Sequence, residues 1–366
     1  MKNTLGNNVR LTLWGESHGE AIGVVLDGIC PGVQIDDEFI KSQLNKRRPQ
    51  NKIETSRVEQ DNYKIVSGVF NGYTTGEAIC IIIENSNTKS KDYDQIKNVA
   101  RPSHADYVAH EKYHGFNDYR GGGHFSGRLT APIVIAGAII LKALEKKNIL
   151  IATHIKQCQN VVDQNFSTSN VEQEIKILST KTFPVLNDIE NDIRSIIEQA
   201  REANDSVGGV LQTAISGLPL GLGEPWFSSV EGLLANAIFS IGAVKGIEFG
   251  EGFNFANLNG SVANDAMYYE EGRVKTKTNH NAGINGGITN GMPIIFNTAV
   301  KPTPSISISQ ETIDFVKKEN TNITVTGRHD PAIIRRMAVV IDSVVAIVIA
   351  DLLAMRYGED FLSFEE

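Results

Sequence analysis

The chain has 366 residues, of which 41% are hydrophobic and 21% are charged. This is the composition of a globular protein with enough apolar residues for a sizeable core. The formal net charge of -8 argues against nucleic-acid binding through an overall basic surface. An anionic substrate stays compatible, because a local cluster of arginines can create a positive site within an acidic surface.

The few cysteines are odd in number and widely spaced, namely Cys30, Cys80 and Cys158. They form neither a metal pattern nor a disulfide framework, which favours a reducing compartment. The first residues are polar or glycine where a secretion signal has its apolar core. We therefore expect a cytoplasmic protein.

No uncharged run reaches membrane-spanning length, and two apolar stretches come nearest to it. Residues 131–141 end at Lys142, and residues 338–355 contain Asp342 and Asp351. A membrane span needs about 20 residues with few charges. Both stretches therefore predict buried helices, and no membrane partner is expected.

Hydrophobic periodicity and turn signals predict the elements in chain order. They are strands at 10–14 and 22–27, a helix at 36–46, strands at 64–70 and 77–83, a helix at 126–147, a polar loop at 160–170, and helices at 188–204, 227–244 and 331–355. No linker, fixed-period repeat or low-complexity tract divides the chain. Residues 1–366 are thus predicted to form one α+β domain, with helices packed on more than one side of the sheet.

The most informative stretch is residues 119–128, where three consecutive glycines lie between Arg120 and a short polar run. A long apolar helix is predicted to follow at once. Glycine lets backbone N–H groups approach a ligand, and a helix N-terminus carries partial positive charge. The stretch is typical of an anion site, and a tight turn into a buried helix is the alternative.

Two turns carry a histidine beside other polar groups. Ser17 and His18 lie between two predicted strands and are flanked by glycines. A histidine there can act as a general acid near neutral pH, or it can be structural. His104 follows Arg101 across a proline turn, and Asp106 either orients its imidazole or caps the next helix.

Basic residues mark two helix ends. Arg47 and Arg48 lie at a helix C-terminus, where the helix dipole favours cations, so they are either a solvated cluster or a phosphate or carboxylate site. Arg328, Asp330 and Pro331 precede the last helix. Asp330 is either the N-cap of that helix or, with Arg328, part of an anion site that handles a proton.

A competing pattern suggests a metal site. His110, Glu111 and His114 match the zinc-hydrolase pattern H-E-x-x-H, which places two imidazoles one helical turn apart. Gly115 follows at once, so the helix is expected to end there, and no third histidine continues the pattern. A zinc-dependent hydrolase is therefore the alternative function.

Seven segments together resemble the chorismate synthase family across essentially the whole chain. They are residues 15–19, 46–49, 101–107, 119–123, 221–225, 301–303 and 327–331. Each is weak alone, but seven in the family's order and spacing are highly specific. The resemblance implies a β-α-β sandwich with long apolar helices between the sheets, and a homotetramer.

The activity implied by the resemblance is that of a lyase. It converts 5-enolpyruvylshikimate 3-phosphate to chorismate and phosphate by anti 1,4-elimination, and it requires reduced FMN although there is no net redox change. The reductant remains open between NADPH, oxidised by the chain itself, and a separate flavin reductase. No nucleic acid is expected as a partner.

The resemblance also implies the catalytic residues. His18 would protonate the departing phosphate, and His104 would protonate or hydrogen-bond the flavin near N1. Asp330 would assist proton movement near flavin N5, with Ser17 and Ser126 as a relay.

Binding positions carry over in the same way. Those implied for FMN are His124, Phe125, Ser126, Gly242, Ala243, Gly286, Lys301, Pro302, Thr303, Pro304, Ser305 and Arg328. The substrate carries a phosphate and two carboxylates, so several cations are needed. The candidates for binding substrate or NADP are Arg47, Arg48, Arg101 and Arg128.

The chain departs from the family pattern at several positions. His124 and Leu129 replace a common arginine and glutamate, so backbone contacts are expected there. Gly242 replaces asparagine, which leaves only backbone contact, and Ile53 stands where many bacterial members have arginine. Asp342 replaces a glutamate of the last helix, and a buried carboxylate there would need a partner.

Overall fold

The computed structural model describes residues 2–50, 54, 60–85, 97–325 and 330–363. The helices are α1 (Asp37–Arg47), α2 (Asp106–Lys112), α3 (Thr130–Lys146), α4 (Val171–Thr180), α5 (Glu190–Glu202), α6 (Val230–Phe239), α7 (Gly260–Ala263) and α8 (Ile334–Tyr357). Short 3₁₀ segments are Arg120–Phe125, Gly127–Leu129, Gly252–Asn257 and Glu359–Leu362.

The strands form two large sheets and four small hairpins. They are β1 (Thr4–Leu5), β2 (Arg10–Gly15), β3 (Ala21–Asp27), β4 (Tyr63–Ser67), β5 (Val69–Phe70), β6 (Tyr73–Thr74), β7 (Ile79–Glu84), β8 (Leu150–Cys158), β9 (Val161–Val162), β10 (Gly209–Ser216), β11 (Val244–Phe249), β12 (Met267–Glu270), β13 (Arg273–Thr276), β14 (Ile284–Asn285), β15 (Ile288–Thr289), β16 (Ile294–Val300), β17 (Gln310–Asp314) and β18 (Glu319–Ile323).

Both large sheets are antiparallel and have five strands. The first has the order β1-β2-β3-β7-β4, and the second has the order β11-β16-β10-β8-β9. In β7 the alternating residues Ile79, Ile81 and Ile83 are fully buried, because successive side chains of a strand point to opposite faces. The mixture of helices with antiparallel sheets confirms the predicted α+β class.

The long apolar helices form the centre of the core. Helix α3 packs on β3 and β7 of the first sheet, α8 packs on β8 and β10 of the second, and α1 contacts both helices. Gly137 of α3 faces Ser343 of α8 so closely that a Cβ added there would lie 2.2 Å from the serine Cβ. Glycine at this position therefore sets the close approach of the two helices.

Two helical segments meet the length and composition of a membrane span. They are Gly127–Lys146 and Ile334–Tyr357, and their most apolar windows are 72% and 94% buried inside the fold. A helix that is apolar on all sides is buried when other elements surround it. Both segments are thus core helices, as the sequence predicts.

Some predicted boundaries are wrong. The predicted strand at 64–70 is divided at Gly68, whose φ of +79° breaks the extended backbone between β4 and β5. The predicted helix at 227–244 is confined to α6, and Val244 already begins β11. The last helix starts at Ile334 with Ile333 as its N-cap. Of the two interpretations of Asp330, that of helix N-cap is therefore wrong.

A buried polar network stabilises the second sheet. Asp163 lies just after β9 and accepts hydrogen bonds from the backbone N–H groups of Leu186 at 2.6 Å and Asn187 at 3.1 Å. The Nδ1 atom of His154 lies 3.2 Å from the same carboxylate, and both side chains are fully buried. Burial alone would raise the pKa of Asp163, but the hydrogen bonds from His154 and the two amides lower it to about 2.

We expect Asp163 to stabilise the fold in a pH-dependent way. Its folded-state pKa lies below that of an unfolded aspartate, near 4, so its contribution of roughly 2 kcal/mol is complete above the unfolded value. That contribution is lost as the pH falls through about 2. Urea titration should therefore show that Asp163→Asn lowers the free energy of unfolding strongly at pH 7 and less towards pH 3. The exposed Asp192→Asn serves as the control. A loss for Asp163→Asn that is as small as that of the control and does not change with pH would contradict this.

Candidate active site

The glycine loop brings two of the predicted catalytic residues together. Gly121, Gly122 and Gly123 have φ values of 61°, 83° and 53°, a backbone region that other residues rarely adopt. A Cβ at Gly121 would lie 2.2 Å from the ring of His18, and a Cβ at Gly122 would lie 3.8 Å from that of His104. The loop therefore passes between the two imidazoles and contacts both.

The same loop holds the turn that carries His18. The carbonyl oxygen of Gly123 accepts a hydrogen bond from Ser17 N at 3.1 Å, and His124 Nδ1 lies 3.0 Å from Gly15 O. The Ser17 side chain is fully buried, and its Oγ has no hydrogen-bond partner within the described residues. Because buried hydroxyl groups are normally satisfied, this atom points to a bound ligand as its partner.

Substitution of Gly121 by alanine should disrupt this arrangement. The new Cβ would clash with the His18 ring at 2.2 Å, and displacement of a reacting group by about 1 Å can cost about a hundredfold in turnover. The control is Gly272→Ala, which has a similar φ of +75° but no atom within 4 Å. Turnover should fall for Gly121→Ala and stay unchanged for Gly272→Ala. Thermal unfolding of both variants shows whether each is folded. Equal turnover of the two variants would contradict the contact.

A charged triad orients His104. Its Nδ1 lies 2.7 Å from Asp106 Oδ1, and Arg101 donates from Nε and Nη2 to the same carboxylate at 2.8 Å. Arg101 Nη2 also lies 3.0 Å from Nδ1, but it donates to Asp106 Oδ1 at the shorter distance of 2.8 Å. Because a carboxylate only accepts, we assign the proton to Nδ1, and Nε2 faces the glycine loop. Burial would raise the pKa of Asp106, but the hydrogen bonds from Arg101 and His104 hold it well below its ordinary value. Asp106 thus orients the imidazole, and no side chain caps α2.

The segment after β16 lies against this triad. Its Ser305 hydroxyl accepts a hydrogen bond from Arg101 Nη1 at 3.0 Å, and Lys301 Nζ donates to Ser103 O at 2.6 Å. Burial, together with the nearby Lys245, lowers the pKa of Lys301. The segment comprises Lys301, Pro302, Thr303, Pro304 and Ser305.

Further contacts join this segment to two other predicted positions. The backbone N–H of Lys301 donates to Ala243 O at 2.9 Å, and Thr303 Oγ1 donates to Asp330 O at 2.7 Å. Residues predicted at three distant points of the chain therefore lie side by side.

Asp330 is a buried carboxyl group with one satisfied oxygen. Its Oδ2 accepts a hydrogen bond from Arg336, whereas its Oδ1 is buried without a partner among the described residues. Burial raises the pKa of Asp330, which Arg336 counteracts and Glu54 reinforces. A carboxyl group with a raised pKa keeps its proton to a higher pH than an exposed aspartate does, which suits a role in proton transfer.

Three arginines surround one buried carboxylate. Asp61 accepts hydrogen bonds from Arg47 Nη2 at 2.9 Å and from Arg128, and Arg48 Nε lies 3.6 Å away. Burial alone would raise the pKa of Asp61, but Arg47 and Arg128 lower it. Within the part of the chain that the structure describes, Asp61 is shared between Arg47 and Arg48 as well as Arg128, and one carboxylate cannot balance even the first two guanidinium groups. The local positive charge favours an anionic ligand. We call Asp61, Arg47, Arg48 and Arg128 the arginine cluster.

The arginine cluster connects the turn that carries His18 to Asp330. On one side, Arg128 Nε donates to Asn85 Oδ1 at 3.4 Å. Asn85 Nδ2 in turn donates to the carbonyl oxygens of Glu16 and Gly19, both at 3.0 Å. These two carbonyl groups belong to the turn that carries His18. The backbone N of Arg128 donates to Ser126 Oγ at 3.3 Å. On the other side, Arg336 Nε donates to Arg47 O at 2.7 Å and thereby connects the cluster to Asp330. The contacts form a closed ring.

Four predicted positions lie at the edge of this ring or beyond it. Gly286 lies in the turn between β14 and β15, and no hydrogen bond within the described residues joins it to the histidines or arginines. Phe125 is 46% exposed and faces Tyr113. Gly242 has open space around its Cα. Arg328 lies outside the described residues, as does Ile53.

Three residues of the ring were not predicted as site residues. Asp61, Asn85 and Arg336 bind the predicted residues rather than forming a motif of their own. The one available signal was Arg336, a cation six residues after Asp330 at the start of an otherwise apolar helix.

The zinc-hydrolase alternative is not supported. Helix α2 ends at Lys112, and His114 lies beyond it with a φ of 55°, so the two imidazoles are not on one helical face. The His110 ring packs against Phe315 at 4.7 Å between centroids. Among the residues that the structure describes, no three His, Cys, Asp or Glu side chains are placed to hold a metal ion.

Comparisons with known proteins agree with the geometry. The family model for chorismate synthase matches residues 9–354. The chain is 44% identical to chorismate synthase of Pyrococcus abyssi over 353 residues, covering 96% of this chain and 97% of the relative. It is 42% identical to that of Thermococcus gammatolerans over 351 residues, with the same coverage.

A solved structure gives the same result at the level of the fold. The crystal structure of a chorismate synthase superimposes with a TM-score of 0.76 at 26% identity, covering 97% of this chain and 94% of that one. The chain therefore belongs to the chorismate synthase family, the lyases of aromatic amino-acid biosynthesis that convert 5-enolpyruvylshikimate 3-phosphate to chorismate and phosphate.

Proposed function

We propose that this elimination takes place inside the ring of contacts formed by His18, His104, Asp330 and the arginine cluster. The observation that carries the proposal is the glycine loop, which contacts both imidazoles while its C-terminal end reaches Arg128. General acids and cations from distant parts of the chain thus surround one space.

The arginine cluster would bind the anionic groups of the substrate. The substrate carries a phosphate and two carboxylates, and guanidinium groups pair with such oxygens in a forked geometry. Arg48 is suited to contact ligand directly, because its side chain is 29% exposed whereas that of Arg47 is 6% exposed. The partnerless Ser17 Oγ would donate to a substrate oxygen. Arg101 is already engaged by Asp106 and Ser305, so it positions His104 instead.

Proton movements follow from the same geometry. In the overall reaction the C–O bond to phosphate breaks, hydrogen leaves C6, and a second double bond forms in the ring. His18 would donate a proton to the departing phosphate. Asp330, with its raised pKa and partnerless Oδ1, would take up the proton released from C6, with Ser17 and Ser126 as a relay.

The residues present fit reduced FMN. Phe125 offers an exposed ring, and Lys301 carries a cation bonded to a backbone carbonyl beside His104. Gly242 and Gly286 are exposed glycines that would offer backbone contact. These residues would hold the isoalloxazine and its phosphate, and Arg328 is proposed from the sequence alone. When bound, reduced FMN supplies electron density to the allylic system of the substrate. His104, oriented by Asp106, would hydrogen-bond the ring near N1 through Nε2.

We also infer the finer architecture. Packing of α3 on the first sheet, of α8 on the second, and of the two helices on each other supports a β-α-β sandwich built by one domain over residues 1–366. Three large apolar side chains, Trp226, Phe227 and Phe253, are 84%, 97% and 86% exposed. Exposed aromatic residues are typical of protein interfaces, which supports a homotetramer.

The three unpaired cysteines support a cytoplasmic location.

Anaerobic turnover tests the flavin requirement. Purified protein, substrate and chemically reduced FMN should yield chorismate and phosphate in equal amounts, whereas oxidised FMN should yield neither. Product formed at the same rate without flavin would refute the requirement. Turnover with NADPH and FMN alone would assign the reduction to this chain, and its absence would assign it to a separate reductase.

A further inference from the structure

A second cavity lies outside the ring of contacts that forms the candidate active site. It has a volume of about 310 Å³, is open to solvent and is bordered by α1, α3, β8, α4 and α8. Its apolar lining includes Leu141, Ile151, Leu178 and Val339. A concave, largely apolar space of this volume with a few polar groups is the usual form of a small-molecule site.

One wall of the cavity carries a carboxyl group with an unsatisfied oxygen. Asp342 borders the cavity, and its Oδ1 has no hydrogen-bond partner among the described residues. Burial raises its pKa to about 7, against the opposing effects of Thr153 and Lys46. Rotation about the Cβ–Cγ bond of aspartate is easy, so either oxygen can turn towards the cavity. The Thr153 side chain hydrogen-bonds to this carboxyl group, but its Oδ1 atom is buried without a donor. A buried oxygen without a donor is costly, which favours a ligand that supplies one.

Positive charge predominates around the rest of the cavity. Against the carboxylates Glu145 and Asp342, the lining contains five basic residues: Lys46, Lys142, Lys176, Lys181 and Arg335. Lys142 and Arg335 pair with Glu145 and Glu54. Lys46 and Lys181 donate to backbone carbonyl oxygens at 2.9 and 2.6 Å, and Lys46 also interacts with the charge of Asp342. Basic residues nevertheless outnumber carboxylates in the lining, so its net charge is positive. A ligand with an anionic group is therefore favoured beside the one that satisfies Asp342.

We propose that this cavity binds an α-amino acid with an apolar side chain. Its ammonium group would donate to Asp342, its carboxylate would contact Lys46 and neighbouring lysines, and its side chain would lie on the apolar walls. A simple amine would leave the surplus of basic residues without an added anion, and a simple carboxylic acid would leave Oδ1 of Asp342 without a donor. The zwitterion satisfies both groups at once.

Calorimetric titration with L-phenylalanine as the probe tests the proposal. A charge-assisted hydrogen bond is worth about a tenfold to hundredfold change in affinity. Asp342→Asn should therefore weaken binding by about tenfold or more, as should Ser42→Trp, which places a large ring at the exposed rim of the cavity. The matched carboxyl-to-amide control, Asp192→Asn on the exposed face of α5, should bind as the unmodified protein does.

Two analogues of L-phenylalanine separate the contribution of its carboxylate to binding from that of its ammonium group. 2-Phenylethylamine lacks the carboxylate and 3-phenylpropionate lacks the ammonium group, and each should bind about tenfold more weakly or worse. Retained thermal unfolding and turnover of Ser42→Trp would show that this variant is folded. The proposal is overturned if L-phenylalanine shows no binding, if it binds Ser42→Trp unchanged, or if 3-phenylpropionate binds equally well.

Discussion

Replacement of His18 or His104 by alanine should lower the turnover number by about 100- to 10,000-fold, the usual contribution of a positioned general acid or base. His18 is buried beside the glycine loop, and His104 is oriented by Asp106 at 2.7 Å. Both substitutions remove a group that we place at the reacting atoms, so the loss should appear in kcat at saturating substrate. Anaerobic turnover with reduced FMN measures it.

The folded state should survive both histidine substitutions. Circular dichroism and thermal unfolding should stay close to those of the unmodified protein, because neither imidazole belongs to the main hydrophobic core. The control is His110→Ala in helix α2, which removes an imidazole that packs on Phe315 at 4.7 Å between ring centroids. Its turnover should be nearly unchanged. Unimpaired turnover of both His18→Ala and His104→Ala would refute the proposed roles.

Removal of the Asp61 carboxylate should have the largest effect on stability. Asp61→Ala leaves Arg47, whose side chain is 6% exposed, without its counter-ion, and it removes one partner of Arg128. Breaking a buried ion pair by removing one partner costs about 3–5 kcal/mol, since the remaining charge stays buried and unpaired. The free energy of unfolding from urea titration should fall by this amount.

An exposed ion pair provides the comparison. Asp27 pairs with Arg10 at 2.6 Å, and their side chains are 40% and 53% exposed, so Asp27→Ala should cost less than about 1 kcal/mol. If the two variants lose the same free energy of unfolding, Asp61 is not the electrostatic centre of the arginine cluster. High salt should change the loss of unfolding free energy for Asp61→Ala only slightly, because buried ion pairs are screened little.

The elements with a clear local signal were predictable from the sequence. Helix α1 starts where expected because Asp36 accepts a hydrogen bond from Phe39 N at 2.9 Å as its N-cap, and β2 and β3 lie within a residue of their predicted bounds. The strands of the second sheet were harder to predict from the sequence. The last six residues of β10 are all buried, so they lack the alternation of polar and apolar residues by which a strand is recognised.

Helix α6 shows how an apolar run misleads. The run continues past Phe239 into β11, and periodicity alone cannot separate a buried helix from the buried strand that follows. The shortened helix leaves residues 242 and 243 in a turn, where Ala243 has a φ of 73°.

The residue types of the site were predictable, but their pairings were not. Asp61 lies 14 residues from Arg47 and 67 from Arg128, separations over which no helix or strand period carries information. Only the fold brings these groups into contact. The resemblance to a family supplied the roles, whereas the structure supplies the partners, of which Arg336 on Asp330 is the clearest case.

A crystal structure of the protein with oxidised FMN and 5-enolpyruvylshikimate 3-phosphate would test the location of the reaction most directly, since this combination is expected not to turn over. We predict the substrate phosphate beside His18 and the arginine cluster, with the flavin ring next to His104 and Asp330. Density for both ligands elsewhere, with these side chains left in contact only with one another, would contradict the proposed site.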